Sequence, residues 1–144
     1  MGFAMRMPLN EKIIKIDSFR HMYINGAKNG FAFDVQLAYY RGHYLSDIEE
    51  LEVRLDGELI PQEAVTFELK GKEMPVYKIK MALTEFWNQV EPATIHVIHK
   101  GGVPEGEHEL ELKLMLRIPY MQIGSGHDFM PLDAGDKAMI HVED

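Results

Sequence analysis

ATIHVIHKGGVPEGEHELELKLMLRIPYM, residues 93–121, alternates strictly from His108 onward. Leu110, Leu112, Leu114, Leu116 and Ile118 fall on one side, and Glu109, Glu111, Lys113, Met115 and Arg117 on the other. Successive side chains of a strand point to opposite faces, whereas a helix repeats every 3.6 residues, so a period of two reads as a half-buried β-strand. Ahead of it, Thr94–His99 is a second run rich in β-branched residues, and Lys100–Gly106 carries three glycines and a proline, the residue types that turn a chain. The reading is two adjacent antiparallel strands, the second long enough to span a sheet. Five aliphatic side chains on one face require another layer to cover them.

Working back from that stretch, the same alternation recurs in Phe31–Tyr40, with Phe31, Phe33, Val35, Leu37 and Tyr39 on one side, which marks a second long and central strand. Glu11–Asp17 and Phe19–Ile24 read as two short strands. NGAKNG, residues 25–30, reads as the turn after them, because Asn and Gly tolerate positive φ. Ile48–Leu55 alternates again, and Asp56-Gly57 is a hairpin signal leading into Glu58–Ile60, which Pro61 ends. Ala64–Leu69, a turn about Gly71 and Val76–Met81 continue the series of short strands. Ala82–Val90 reads either as a helical turn capped by Thr84 or as a strand carrying Trp87 inward. Past Gln122 the chain reads as loop through Gly135, then as a short strand at Ala138–Val142.

Eight to ten short strands separated by turn signals predict an all-β fold: an antiparallel β-sandwich, jelly-roll-like or immunoglobulin-like, with little or no helix. The expected organisation is a flexible N-terminus over 1–10, the sandwich over 11–121, and a C-terminal extension over 122–144 able to wrap a partner.

Composition narrows the function. A chain of 144 residues is the size of one domain with a core of its own. With no cysteine, a disulfide framework, a thiolate metal site and a catalytic cysteine are all excluded. Fifteen Lys plus Arg against 23 Asp plus Glu leave a formal charge of −8, which opposes nucleic acid and anionic membrane faces as partners. The opening MGFAMRMPLNEK lacks the apolar core of a secretory signal, and no segment approaches the ~18 apolar residues of a membrane span, so the expected location is cytoplasmic. Ten methionines serve either as core filler or as an adaptable contact surface.

Seven histidines, at 21, 43, 96, 99, 108, 127 and 141, raise the question of a metal. Their spacing answers against one: His96 and His99 point to opposite faces of a strand, and no HxH pair or HExxH helix places two imidazoles on one ion. Neither a nucleophile elbow nor a phosphate-binding glycine loop is present. Glu49, Glu50 and Glu52, and Glu107, Glu109 and Glu111, read as solvated faces. The expectation is no catalytic residue, no metal and no cofactor in this chain. One cluster stands out. Tyr39, Tyr40, Arg41, His43 and Tyr44 end one long strand, and Arg117, Pro119 and Tyr120 end the other. Two readings stay open: the rings cover the open end of the core while Arg pairs with a carboxylate, or Tyr40, Arg41, His43, Tyr44, Arg117 and Tyr120 face a partner or substrate.

The run FAFDVQLAYYRGHYLSDIEELEVRLDGELIP, followed by FWNQVEPATIHVIHKGGVPEGEHELELKLMLRIPYM, resembles the small beta subunit of bacterial C-glycoside deglycosidases, in order over roughly Phe19–Met121. Its most specific pieces are YYRG at 39–42, Leu-Ser-x-Ile-Glu at 45–49, the Asp-Gly hairpin, GG-x-x-x-G-x-H at 101–108 and Arg-x-Pro-Tyr at 117–120. The resemblance implies a β-sandwich packed on a larger TIM-barrel alpha subunit, similar to sugar-phosphate isomerases and epimerases, which holds a divalent metal such as Mn and the acid/base groups. It implies substrates that are 3-oxo C-glycosides of aromatic aglycones such as flavonoids, and it carries no catalytic residue onto this chain. A stand-alone carbohydrate- or aglycone-binding module is the competing reading, and an independent jelly-roll enzyme a third, disfavoured by the missing metal motif. An obligate partner predicts a large apolar patch bearing Met and aromatic residues, whereas a free binding module predicts a concave groove.

Overall fold

The computed structural model describes residues 13–37, 42–88, 91–122 and 129–143. In chain order the strands are β1 (Ile14–Ile24), β2 (Ala27–Val35), β3 (His43–Tyr44), β4 (Ile48–Leu55), β5 (Glu58–Leu59) and β6 (Val65–Leu69). They continue as β7 (Lys72–Pro75), β8 (Phe86–Trp87), β9 (Ala93–Ile98), β10 (Gly106–Gln122), β11 (Phe129–Asp133) and β12 (Asp136–Val142). Helix among the described residues is limited to 3₁₀ segments at Leu45–Asp47, Gln62–Ala64 and Val76–Met81. One sheet runs β1-β2-β9-β6-β7, the other β11-β10-β4-β5 with β12 also on β10, and β3 pairs β8 apart from both. All pairings are antiparallel. The predicted all-β sandwich is the fold observed.

The alternation of β10 does what a period of two requires. Leu110, Leu112, Leu114 and Leu116 are buried, and they stand opposite Leu55, Val53, Leu51 and Ile48 of β4. Phe31, Phe33 and Val35 of β2, Ile95 and Val97 of β9, and Val65, Phe67 and Leu69 of β6 supply the facing layer of the same core. Along its other edge β10 meets β12 with its first half and β11 with its second, and the Ala134 N–H donates to Leu114 O at 2.8 Å between them. The returning chain therefore lines nearly the whole length of β10.

Several boundaries differ from the sequence reading. The strands expected at 11–17 and 19–24 are one strand, β1, whose register against β2 shifts between Lys15 and Arg20, as a bulge does. The turn is only Asn25-Gly26, both at positive φ, and 27–30 already belongs to β2. β2 ends at Val35, short of the expected Tyr40. β9 and β10 are not neighbours: the connection between them crosses from one sheet to the other. Val76–Met81 is a 3₁₀ helix, not a strand. Of the two readings for Ala82–Val90, the strand holds, as the short β8 with Trp87 fully buried. The stretch read as loop to Gly135 contains β11.

The sandwich has two flanks. On one, β1 and β12 come together, and Asp136 Oδ2 accepts the N–H groups of Ile13 (3.1 Å) and Ile14 (3.0 Å). On the other, Val76–Met81 packs against β4, β6 and β7 and closes the gap between the sheets. There β4 is an edge for much of its length, and an open edge invites pairing with another chain. Part of that edge is occupied: Gln62 Nε2 donates to Leu51 O at 2.8 Å, and the Ile60 N–H donates to Val53 O at 2.8 Å.

Candidate functional site

Val76–Met81 follows Pro75, which cannot donate to a ladder and here leads out of β7. A 3₁₀ helix has three residues per turn, so positions i and i+3 share a face. Val76 and Ile79 are buried, and Ala82, the next in that series, packs against the core. The same geometry turns Tyr77, Lys78, Lys80 and Met81 outward. Tyr77 is 65% exposed, Met81 80% and Leu83 70%, the three highest values among the large hydrophobic side chains described.

From there the chain returns to the core. Trp87 packs edge-on against Phe67 with ring centroids 5.3 Å apart, and its Nε1 donates to Glu91 O at 2.7 Å. β8 then pairs with β3, His43 opposite Trp87 and Tyr44 opposite Phe86. The Tyr44 ring stands edge-on to Phe86 at 5.0 Å while remaining exposed, and the Leu45 N–H donates to Glu85 O at 2.9 Å. Gly42 is required by this contact: a Cβ there would lie 2.5 Å from Trp87 O and 2.6 Å from the Phe86 ring. The glycine of the YYRG stretch is thus explained by close packing.

Of the residues singled out in the sequence, Tyr44 lies on this surface. Arg117 lies beside it, with Nη2 donating to Asp47 Oδ1 at 3.1 Å. Asp47 is the buried charged side chain among the described residues, so this guanidinium holds the 45–47 turn against β10. Tyr40 and Arg41 lie outside the described residues, as do the side chains of His43 and Tyr120; the backbones of the latter two belong to β3 and β10. The sequence reading of 76–81 as a strand, and of 82–90 as a helical turn or a strand, does not single out Tyr77, Met81 or Leu83. The spacing of Val76, Ile79 and Ala82 is the available signal, and the alternation of Tyr77, Ile79 and Met81 competes with it.

A cleft of about 270 Å³ lies beside Tyr77, between β4 and the 3₁₀ turn, with Ile48, Leu51, Val76 and Ile79 in its wall. Its carboxylates are already engaged: Glu49 with Lys80 at 3.4 Å, Glu50 with Lys113 at 2.9 Å and Glu52 with Arg54 at 3.0 Å. The cleft lies just under the roughly 300–1,000 Å³ of small-molecule sites, and its carboxylates are paired within the chain.

Elsewhere, Glu68, Glu73 and His96 offer ligand atoms within 4.8 Å of one another on the outer face of the first sheet. The sequence test for two histidines on one strand could not find this set, because its members come from β6, β7 and β9. Glu68 and Glu73 are direct cross-strand partners. His96 Nε2 lies 2.7 Å from Glu68 Oε1, and Thr66 Oγ1 donates to Glu73 Oε2 at 2.7 Å. These hydrogen bonds account for the arrangement as a polar ladder across three strands.

Comparison with known proteins finds relatives over most of the chain. A family profile described as C-glycoside deglycosidase beta subunit matches residues 9–120. A C-glycoside deglycosidase beta subunit of Eubacterium cellulosolvens is 30% identical over 114 residues, 78% of this chain and 78% of that protein. A 3'-dehydrocarminate deglycosidase beta subunit of Microbacterium sp is 30% identical over 114 residues, 78% of this chain and 81% of its own length. A C-glycoside deglycosidase beta subunit of Arthrobacter globiformis is 30% identical over 96 residues, 65% of this chain and 72% of its own length.

Proposed function

Because this chain belongs to the C-glycoside deglycosidase beta subunit family, we propose that it is the non-catalytic, non-metal-binding subunit of a carbon–carbon lyase that removes an aromatic aglycone from a 3-oxo C-glycoside. The family match across 9–120, which takes in most of the sandwich, carries the reading. A beta subunit implies an alpha subunit. In this proposal the partner is a TIM barrel that holds the acid/base groups, and a divalent metal held there would supply polarisation of the ketone oxygen.

The chemistry explains why the sugar must be oxidised first. An aryl C–C glycosidic bond has no leaving oxygen to protonate. A ketone at C3 makes the neighbouring C2–H acidic, so a general base can remove that proton to give the enolate. The electron pair then forms the C1–C2 double bond as the bond from C1 to the aglycone carbon breaks, and that carbon takes up a proton from a general acid. Proton loss and gain balance, and no external oxidant is needed in the cleavage step. The relative named for 3'-dehydrocarminate fits a sugar already oxidised at that position.

The test is reconstitution. This chain, its cognate alpha subunit and the mixture are each incubated with a 3-oxo C-glycoside, and aglycone release is followed by chromatography. Release by the mixture, with none from this chain alone, is the expected result. Cleavage by this chain alone, or by the alpha subunit alone at the rate of the pair, overturns the proposal.

A further inference from the structure

We infer that the segment from Val76 to Trp87 is the surface through which this subunit docks on its alpha subunit, with Tyr77, Met81 and Leu83 as the anchoring side chains. The inference rests on the family reading above and adds to it a place on the molecule.

Three observations single this surface out. The three most exposed large hydrophobic side chains described all fall within seven residues of one another. Monomeric proteins scatter such residues singly, and their gathering marks a surface that another protein covers. Second, these side chains are not left over from poor packing. The turn already buries Val76 and Ile79, and Trp87 anchors its far end in the core, so Tyr77, Met81 and Leu83 are presented by a well-seated element. Third, the surface runs on into Tyr44 and Phe86 and lies beside the Arg117–Asp47 pair, residues within the stretches that carry the family resemblance. Met and Tyr are also the residue types enriched in interface cores.

The nearest rival is the tip of the β1–β2 hairpin, where Tyr23, Ile24 and Ile98 are exposed, Ile98 at 59%. Tyr23 and Ile24 are consecutive on a strand, so they point to opposite faces and at most one of them shares a face with Ile98. Electrostatics describe the complement. Lys78 Nζ stands 6.0 Å from the centroid of the Tyr77 ring, and Lys80 is next to Met81. A fitting alpha-subunit surface has an apolar recess for Met81 and Leu83 with a carboxylate at its border to meet Lys78.

Binding of the purified chain to its cognate alpha subunit by titration calorimetry tests the inference. The double substitution Met81→Glu and Leu83→Glu places two charges on exposed positions and is expected to weaken binding roughly 30-fold or more, as loss of central anchors does. Ile98→Glu is expected to bind as the wild type. Hydrogen exchange of the unsubstituted complex gives an independent reading, with amides of 76–87 protected on binding and those at the tip of the β1–β2 hairpin unchanged. Wild-type affinity in the double variant, loss in Ile98→Glu instead, or protection confined to another surface overturns the docking site while leaving the family reading intact. A homodimer that the double variant abolishes assigns the surface to a second copy and overturns it as well. Failure of the wild type to bind the alpha subunit at all refutes the proposed subunit role first, and this inference with it.

Discussion

Along the flank where β1 meets β12, one carboxylate joins the sheets: Asp136 accepts the N–H groups of two buried residues, Ile13 and Ile14. Along the opposite flank, a 3₁₀ turn fills the gap, and its outer side carries Tyr77 and Met81 into solvent, with Leu83 following. Exposed apolar side chains occur on the first flank too, but Ile16 at 53% and Met139 at 55% are less exposed than Tyr77, Met81 or Leu83. Met139 sits opposite Glu109 and two residues from both Lys137 and His141, and Ile16 precedes Asp17. The first flank joins its two sheets through a carboxylate and exposes its apolar side chains less fully. The second satisfies its backbone but gathers its apolar groups. A subunit that meets water on one side and protein on the other is expected to differ in this way.

The strongest way to break the contrast is at Trp87, on which the second flank depends. Trp87→Ala is expected to destabilise the chain by about 3–5 kcal/mol, the range for removing a buried large aromatic, as measured by urea unfolding, and to weaken docking because the segment it anchors is no longer held. Unfolding at the wild-type midpoint would show that the segment is seated by other contacts. On the first flank, Asp136→Ala leaves the N–H groups of Ile13 and Ile14 without their acceptor and is expected to cost about 1–3 kcal/mol. It should leave affinity for the alpha subunit unchanged. A matching loss of affinity would move the docking surface toward the β1–β12 seam.

What the sequence made legible follows from which interactions are local. The faces of β4, β6, β9 and β10 could be read because alternation fixes which side chains go inward, whatever strand lies alongside. Which strand lies alongside is a different matter. Lys100–Gly106 looks like a hairpin because it is short and rich in glycine, yet its residues are tied to β1 and β2: Gly101 N–H donates to Lys28 O at 3.0 Å, Val103 N–H to His21 Nε2 at 3.0 Å, and Val103 is buried. Those long-range contacts carry the chain across the sandwich, and turn propensity holds no record of them. VYKIKM alternates Tyr77, Ile79 and Met81 against Val76, Lys78 and Lys80 and so imitates a strand, whereas the fold buries Val76 and Ile79 at the spacing of three that a 3₁₀ helix sets. Arg117 was legible as a residue type but not as the partner of Asp47, 70 positions away. The polar ladder of Glu68, Glu73 and His96 was invisible for the same reason, since three strands assemble it.

The smallest expected effect sharpens the comparison through pH. Asp56, in the hairpin turn after β4, and His108, near the start of β10, form a charged contact away from the apolar flank. His108 Nδ1 lies 2.6 Å from Asp56 Oδ2, and Nε2 lies 2.7 Å from Pro104 O. A carbonyl and a carboxylate both accept, so the ring donates from both nitrogens only as imidazolium. The bond to Asp56 raises the His108 pKa above its ordinary 6.5. In return the bond from His108, and then that from the Glu109 N–H, lower the Asp56 pKa below its ordinary 3.8. The histidine contribution is complete below pH 6.5 and is lost as pH rises through the raised value. The aspartate contribution is complete above pH 3.8 and is lost as pH falls through the lowered one. The pair therefore stabilises most between those two ordinary values. Because the Asp56 carboxylate is half exposed, the decline from pH 6 to pH 8.5 is expected to be ~0.5 kcal/mol or less, seen as a fall in the unfolding midpoint that His108→Gln removes. Docking through the apolar side chains of Met81 and Leu83 does not use this pair, so its affinity should stay level while stability drifts. An affinity that falls with the histidine titration would instead place charge, and the hairpin end of the molecule, at the interface.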